Sequence, residues 1–139
     1  MKLTIDQILD GKPDPNPDQW PLIDKINEAC STPLEALLPS QLLELLMQKM
    51  ALEIIVPMVL DLLETEPLMD VTFYSGDLLT NCMSCVPMEY WENDLDSRFR
   101  LELILLDLDH AMNSINEARP LFEKFYGTQP ANENKIKRT

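Results

Sequence analysis

The sequence predicts an all-α fold, a compact bundle of about six to eight helices with a central buried apolar helix pair. Glycine is scarce: only three of the 139 residues are glycine, whereas sheet proteins of this size usually use more of it in tight turns. Leu, Met, Glu, Gln and Ala, which favour helix, are plentiful. Few segments alternate polar and apolar residues with the period of two that a β-strand shows.

The first elements are marked by caps and prolines. Thr4 and Gln7 have the spacing of a capping box, and Gly11 can close the short helix that follows. Residues 11–19 hold three prolines at alternate positions, which predicts an extended segment without helix. A second helix is expected to start at Pro21.

The central elements contain most of the apolar residues. Thr32 has the position of a further helix cap, and Ser40 is expected to cap the next helix. Residues 42–63 are apolar on nearly every side, which is typical of helices in the centre of a bundle. Pro57 lies inside this stretch and removes one backbone donor, so we expect a kink or a break between Met50 and Pro57.

The second half is predicted to begin with a loop at residues 67–76. A helix follows from Asp77 to about residue 85, and Pro87 starts a short helix. Residues 94–118 have the periodicity of a long helix, with ion-pair spacings on its surface, and Pro120 is expected to end it.

Length and composition predict one domain in a reducing compartment. We expect a single α-helical domain over residues 1–127 and a polar, disordered tail over residues 128–139. The three cysteines show no disulfide-dense pattern, the start of the chain lacks a secretory signal, and no uninterrupted apolar run reaches the roughly 18 residues of a membrane span. These features predict a cytoplasmic protein.

The charge is strongly acidic and unevenly distributed. The formal net charge is −13, and residues 61–110 contribute −10 of it with twelve acidic and two basic side chains. This excess argues against binding to nucleic acid or to anionic membranes, since both require Lys and Arg. It favours a basic partner, or a face that keeps the protein soluble.

Two groups of residues have side chains of types that can carry chemistry. Cys82 and Cys85 have the spacing of a redox pair or of half a metal site, but no second pair exists and zinc needs about four ligands. His110, the only histidine, lacks a nucleophile in a recognisable motif. We therefore predict no catalytic residue, no metal and no cofactor, and expect a binding protein rather than an enzyme.

An ordered set of motifs then resembles a known family. The set comprises a leucine-rich segment at 38–48, a second at 52–63 with an internal proline, the step Glu66-Pro67-Leu68, the helix start Tyr74-Ser75-Gly76-Asp77-Leu78-Leu79, and Trp91. It resembles the helical immunity proteins of bacterial contact-dependent growth inhibition (CDI) systems over about residues 33–92. One departure is Lys49-Met50-Ala51, where the family pattern has a glycine, so a smoother bend is expected there.

The resemblance implies a function. Such a protein binds the toxic C-terminal domain of a cognate secreted effector, one copy to one toxin, and protects its own cell. Many of these toxins are nucleases with a basic groove, which an acidic inhibitor can fill. The candidate toxin-binding residues are Asp70, Tyr74, Asp77, Glu89, Tyr90, Trp91, Glu92, Asp94 and Asp96.

Other interpretations remain open at this point. The aromatic residues Tyr74, Tyr90 and Trp91 can also close the ends of a helical core. An acidic adaptor or chaperone-like protein that holds a basic client without blocking an active site is the alternative function. An enzyme that uses His110 or the cysteine pair is the third possibility.

Overall fold

Seven α-helices form the part of the chain that the computed structural model describes, residues 3–9 and 20–126. They are α1 (Ile5–Leu9), α2 (Trp20–Ser31), α3 (Pro39–Met47), α4 (Leu52–Thr65), α5 (Asp77–Cys85), α6 (Met88–Asn93) and α7 (Leu95–Tyr126), with a 3₁₀ turn at Leu34–Ala36. The predicted all-α fold is confirmed. The expected extended segment 11–19, the expected cap at Gly11 and the expected tail 128–139 lie outside the described residues.

The chain divides into two compact units. The first extends to Leu101 and contains α1 to α6 with the first turns of α7; the second begins at Glu102 and contains the remainder of α7. The single domain predicted over residues 1–127 stays a prediction. None of the described helices combines the length and the hydropathy that crossing a membrane requires.

The core of the first unit is built on α3 and α4. Helix α3 contacts α2, α4 and α5, and α4 also contacts α5. Seven apolar side chains of α3 and α4 have no exposed surface: Leu45, Leu46, Ile55, Val56, Val59, Leu60 and Leu63. Each such burial contributes about 1.5–3 kcal/mol relative to exposure. The predicted central apolar helix pair is therefore confirmed.

A sharp break separates α3 from α4. Lys49 and Ala51 adopt left-handed backbone conformations, with φ of 56° and 49°. The N–H of Lys49 donates to the carbonyl of Leu46 and that of Met50 to the carbonyl of Leu45, both at 3.0 Å, which is the Schellman pattern of a helix end. The prediction of a smoother bend was wrong, because the chain makes a tight turn here with lysine at the position where glycine is usual. Helix α4 runs through Pro57 without ending there.

The starts of α1 and α3 show how side chains replace missing backbone partners. The backbone N–H of Thr4 donates to the side-chain oxygen of Gln7 at 2.9 Å, and the backbone N–H of Gln7 donates to the hydroxyl of Thr4 at 3.2 Å. The predicted capping box is therefore confirmed. Helix α3 begins at Pro39 rather than after a Ser40 cap. Its first exposed N–H, on Leu38, donates to the side-chain oxygen of Gln41 at 2.9 Å.

Two other predicted boundaries were wrong. Thr32 does not cap a following helix; its hydroxyl donates to the carbonyl of Glu28 at 2.6 Å and so belongs to the end of α2. Helix α7 continues through Pro120 to Tyr126. A proline removes only its own backbone donor, and the residues after Pro120 keep their helical conformation.

Candidate functional site

The loop at residues 67–76 is organised by one buried carboxylate. Asp77, the first residue of α5, has no exposed surface. Its Oδ1 accepts the backbone N–H of Val71 at 2.9 Å, and its Oδ2 accepts those of Thr72 and Phe73, each at 2.8 Å. A buried charge is costly unless it is well bonded, and these bonds to consecutive amides meet that need.

The ionisation of Asp77 follows from the same bonds. Burial raises the pKa of this carboxyl, but backbone hydrogen bonds from Phe73, Val71, Thr72 and Leu78 lower it and together outweigh burial, so the pKa lies below its ordinary value. The group is therefore charged at neutral pH, and its charge fixes the loop backbone.

Further bonds hold the loop against α5. Ser75 donates its hydroxyl to the carbonyl of Leu68 at 2.9 Å. Gly76, at φ 88°, donates its N–H to the carbonyl of Met69 at 3.1 Å. The hydroxyls of Tyr74 and Thr80 are 2.7 Å apart. The loop is thus bonded at both of its ends and along its length.

This rigid loop presents apolar side chains to solvent. Leu68, Phe73 and Tyr74 are 54%, 62% and 50% exposed. Large aromatic side chains held in place at the surface are typical anchors of protein interfaces. Sequence reasoning selected Tyr74 but missed Leu68 and Phe73 as candidates, although the aromatic pair in a loop before a capped helix start was a usable signal.

A second group of candidate residues lies at the junction of α6 and α7. The Tyr90 hydroxyl donates to one carboxylate oxygen of Asp94, and the backbone N–H of Ser97 donates to the other at 3.1 Å. Asp94 therefore caps α7. The ring of Trp91 packs edge-on against that of Tyr90 at 5.5 Å between centroids, and only 9% of Trp91 is exposed.

The titration of this second group reflects its bonds. The hydrogen bond from Tyr90 lowers the pKa of the Asp94 carboxyl, and the bonds from Ser97 act in the same direction and outweigh its burial. Burial and the bond to Asp94 raise the pKa of the Tyr90 phenol. Asp94 is thus a charged capping residue at neutral pH.

The nine candidate residues separate into exposed and internal ones. Four of them are buried or bonded inside the protein: Asp77, Tyr90, Trp91 and Asp94. The other five are exposed: Asp70, Tyr74, Glu89, Glu92 and Asp96. The N–H of Asp77 donates to the carbonyl of Tyr74 at 3.0 Å, which brings these two residues together at the start of α5. Tyr90, Trp91 and Asp94 are in contact after its end. Helix α5, whose nine residues begin with Asp77 and extend about 13 Å, lies in the chain between the first group and the second.

An ion pair joins α4 to the first turns of α7. Arg100 donates through Nε and Nη2 to both oxygens of Glu64, at 2.9 and 2.8 Å, and its Nη2 lies 2.6 Å from Asp61. The bond from Arg100 lowers the pKa of Glu64 below its ordinary range. The sequence spacing of Asp96 and Arg100, four residues apart, predicts an ion pair along the surface of α7, but Arg100 bonds to Glu64 and Asp61 of α4 instead.

A cleft of about 250 Å³ lies beside the loop, between α2 and α3. Its lining includes Thr72 of the loop together with Lys25, Glu28 and Glu44. Two carboxylates against one ammonium group make its lining acidic, so it suits a cationic side chain better than an anion.

Burial distinguishes the cysteines of the first unit, since Cys30 and Cys82 are buried and Cys85 is partly exposed. Burial raises the pKa of the Cys82 thiol to about 12 and, with the nearby charge of Asp6, that of Cys30 to about 11. Cys85 is half-buried, with its thiol 3.4 Å from the side-chain oxygen of Asn81. Among residues 3–9 and 20–126, no three His, Cys, Asp or Glu side chains form a group that could hold a metal.

Comparison with known proteins identifies the family. A family model described as CDI immunity proteins matches residues 8–101, which contain both groups of candidate residues. Searches of curated proteins and of solved structures gave no match. The family match covers more than half of the 139 residues and agrees with the motifs noted in the sequence. The chain therefore belongs to the family of CDI immunity proteins.

Proposed function

We propose that this protein binds the toxic C-terminal domain of its cognate CDI effector and neutralises it by covering the active site with an acidic surface. The observation that carries the proposal is the family match over residues 8–101. The toxin in this proposal is a basic nuclease, bound in the cytoplasm by one copy of the protein per toxin.

The charge distribution supports a basic partner. The twelve acidic side chains of residues 61–110 are opposed by only two arginines, and one of them, Arg100, is bonded to Glu64 and Asp61. A nuclease needs a groove of Lys and Arg to hold phosphate. Carboxylates of the immunity protein can pair with those residues, which steers association and blocks the substrate.

The proposed interface combines an anchor with a charged surround. The anchor is the 67–76 loop with Phe73 and Tyr74, whose rigidity reduces the entropy lost on binding. The charged surround consists of Asp70, Glu89, Glu92 and Asp96. The internal candidates hold this surface in place: Asp77 fixes the loop, and Tyr90, Trp91 and Asp94 fix the junction of α6 and α7.

The distances are compatible with one interface. A standard interface buries about 800 Å² on each partner. A patch of that area spans roughly 30 Å, about twice the length of α5, the main element between the two groups in the chain.

Co-expression tests the function directly. The toxin domain encoded by the adjacent effector gene should kill cells alone and should not kill cells that also express this protein. Equal killing with and without the protein would refute the proposal. A purified complex in which the toxin is bound but keeps its full activity would support the adaptor alternative and exclude active-site occlusion.

Charge reversal tests the surface. Replacing Glu89, Glu92 and Asp96 by Lys should abolish protection while the protein stays folded. The matched control replaces Asp24, Glu35 and Asp109 by Lys, three exposed carboxylates outside the proposed interface, with the same change in net charge. Equal loss of protection in both variants would indicate a bulk charge effect. Unchanged protection in the first variant would place the interface elsewhere.

The anchor is tested separately. Phe73→Ala should raise the Kd for the toxin by at least about tenfold, because aromatic anchors often contribute more than 1 kcal/mol. It should change the free energy of unfolding by less than about 0.5 kcal/mol, since the side chain is mostly exposed. Leu106→Ala removes a comparably exposed apolar side chain from α7 and should leave the Kd unchanged. An unchanged Kd for Phe73→Ala would exclude the loop as an anchor.

Salt dependence tests steering. If the carboxylates guide association, the association rate with the toxin should fall clearly between about 50 and 500 mM salt. A rate that does not change with salt would mean that the acidic residues serve solubility.

A further inference from the structure

The cleft between α2 and α3 is lined by polar side chains that the fold brings together from separate parts of the chain. Lys25 and Glu28 are three residues apart on α2, and Gln41 and Glu44 are three residues apart on α3, so each pair lies on one face of its helix. Helices α2 and α3 pack against each other, and Thr72 adds the 67–76 loop to the lining. The cleft is therefore built within the first unit from two helices and a loop.

The charged groups of the cleft are not used to hold the fold together. Within the part of the chain that the structure describes, the side chains of Lys25, Glu28 and Glu44 form no ion pair and no hydrogen bond. Glu28 and Glu44 carry two negative charges against the single positive charge of Lys25. One further positive charge in the cleft would therefore neutralise these three groups and give the carboxylates a partner.

The size and the walls of the cleft favour a single side chain. Its volume is about 250 Å³, whereas sites for cofactors and drug-sized ligands commonly measure about 300–1,000 Å³. Leu38, which is 60% exposed, supplies an apolar wall beside the charged groups. A long side chain with an apolar stem and a positively charged end matches this combination.

Arginine matches the cleft better than lysine does. Its planar guanidinium carries five N–H donors and can bind two carboxylates at once, whereas the ammonium group of lysine is a compact and strongly hydrated charge. The cleft offers carboxylates from two helices, Glu28 from α2 and Glu44 from α3. Arginine is also enriched at protein interfaces, from which lysine is depleted.

The cleft lies directly beside the anchor of the proposed toxin interface. Thr72, which lines the cleft, precedes Phe73, which is 62% exposed. The Oδ2 atom of Asp77 accepts the backbone N–H groups of both residues, each at 2.8 Å, so the anchor and this wall of the cleft are held by the same carboxylate. A partner that contacts Phe73 is therefore within reach of the cleft.

We propose that the cleft between α2 and α3 receives one arginine side chain of the toxin, with its guanidinium bound by Glu28 and Glu44 and its stem against Leu38. This assignment rests on the proposed function, because it names the group of the basic partner that the cleft recognises. Lys25 is a like charge in the same cleft and opposes the arginine, so the site should bind more tightly without it.

An arginine probe tests the cleft without any toxin. In NMR titrations of the full-length protein, N-acetyl-arginine methylamide should shift the backbone amide signals of Glu28, Glu44 and Thr72 saturably, and the neutral N-acetyl-citrulline methylamide should not. Glu28→Gln with Glu44→Gln should abolish these shifts. The control, Glu35→Gln with Asp109→Asn, removes the same charge from two other exposed carboxylates and should keep them. The absence of saturable shifts, or an equal affinity for the corresponding lysine probe, would overturn the proposal.

The affinity for the toxin tests the same residues in the complex. Glu28→Gln with Glu44→Gln should raise the Kd at least about tenfold, because the arginine would lose both carboxylates. Lys25→Met should lower the Kd about twofold to fivefold, since it removes a like charge, and it should keep α2 folded because Lys and Met have similar helix propensities. Lys124→Met removes the same charge from α7 and should leave the Kd unchanged.

Three results with the toxin would overturn the arginine site. They are an unchanged Kd of the double glutamine variant, a higher Kd of Lys25→Met, and an equal decrease of the Kd in Lys25→Met and Lys124→Met. The probe titration separates these results from the proposed function. If co-expression gives no protection, the proposed function fails and the probe still decides whether the cleft binds arginine. If the protein protects but neither the probe nor the variants respond as expected, only the arginine site fails.

Discussion

The carboxylate of Asp77 accepts the backbone N–H of Phe73 at 2.8 Å, so a fully buried charge fixes the backbone of a side chain that is 62% exposed. We predict that Asp77→Ala lowers the free energy of unfolding by about 3 kcal/mol, because the N–H groups of Val71, Thr72 and Phe73 lose their acceptor. Urea denaturation measures the loss. Asp70→Ala, on the exposed side of the same loop, serves as the control and should change stability by less than about 0.5 kcal/mol.

The comparison of the two variants also tests the role of the loop. If Asp77→Ala unfolds the protein, Asp77→Asn keeps the shape and one acceptor oxygen and allows the measurement. If Asp77→Ala and Asp77→Asn were both as stable as the wild type, the three hydrogen bonds from Val71, Thr72 and Phe73 to Asp77 would contribute little to stability.

The lowered pKa of Asp77 predicts acid sensitivity. The pKa of Asp77 is lower in the folded state than in the unfolded chain, where it is about 3.9. The ionised carboxylate therefore stabilises the fold fully at a pH above the unfolded-state pKa. This stabilisation is lost as the pH falls through the folded-state pKa. The stability difference between the wild type and Asp77→Asn should therefore be largest near pH 6 and shrink below about pH 4. Urea denaturation at several pH values measures it, at 0.5 M salt to screen long-range repulsion. A difference that is independent of pH would contradict a charged Asp77.

The helices of the core were predictable because local chemistry and burial agree there. The apolar run of residues 42–63 predicts the buried helices α3 and α4, and the spacing of Thr4 and Gln7 predicts the capping box of α1. The structure contains both. The boundaries at Ser40 and Pro120 were not predictable, because Gln41 replaces the cap and because α7 tolerates the loss of one backbone donor.

The break between α3 and α4 shows where tertiary packing overrides local preference. Lys49 has a left-handed backbone, which costs an L-residue about 1–2 kcal/mol, whereas glycine adopts it freely. We predict that Lys49→Gly raises the free energy of unfolding by about 0.5–1 kcal/mol after the entropy of the unfolded chain is included. Thermal and urea denaturation both measure the gain.

The control for this substitution uses another exposed lysine. Lys25→Gly, inside α2, should lower stability by about 1 kcal/mol, since the residue there is helical. A loss of stability in Lys49→Gly would contradict the inferred strain at this turn.

The candidate site was predictable only in part. Tyr74 and the exposed carboxylates are visible in the sequence as aromatic residues with acidic residues around them. The internal use of Asp77 and Asp94 was not visible, because an acidic residue at a helix start can either face solvent or bind backbone amides, and only the fold decides. The resemblance to a family, rather than composition, supplied the function.

The cysteine pair gives a last prediction, on reactivity. A thiol reacts as its thiolate, and at pH 8 a group with a pKa of about 12 is deprotonated in only about one molecule in ten thousand. Burial protects Cys30 and Cys82 further, so a thiol reagent should label Cys85 alone in the folded protein and all three cysteines in 6 M guanidinium. Cys85→Ala should abolish labelling of the folded protein, as mass spectrometry can verify. Rapid labelling of Cys82, or a Cys82–Cys85 disulfide formed under mild oxidation, would contradict this assignment and return the pair to consideration as a redox site.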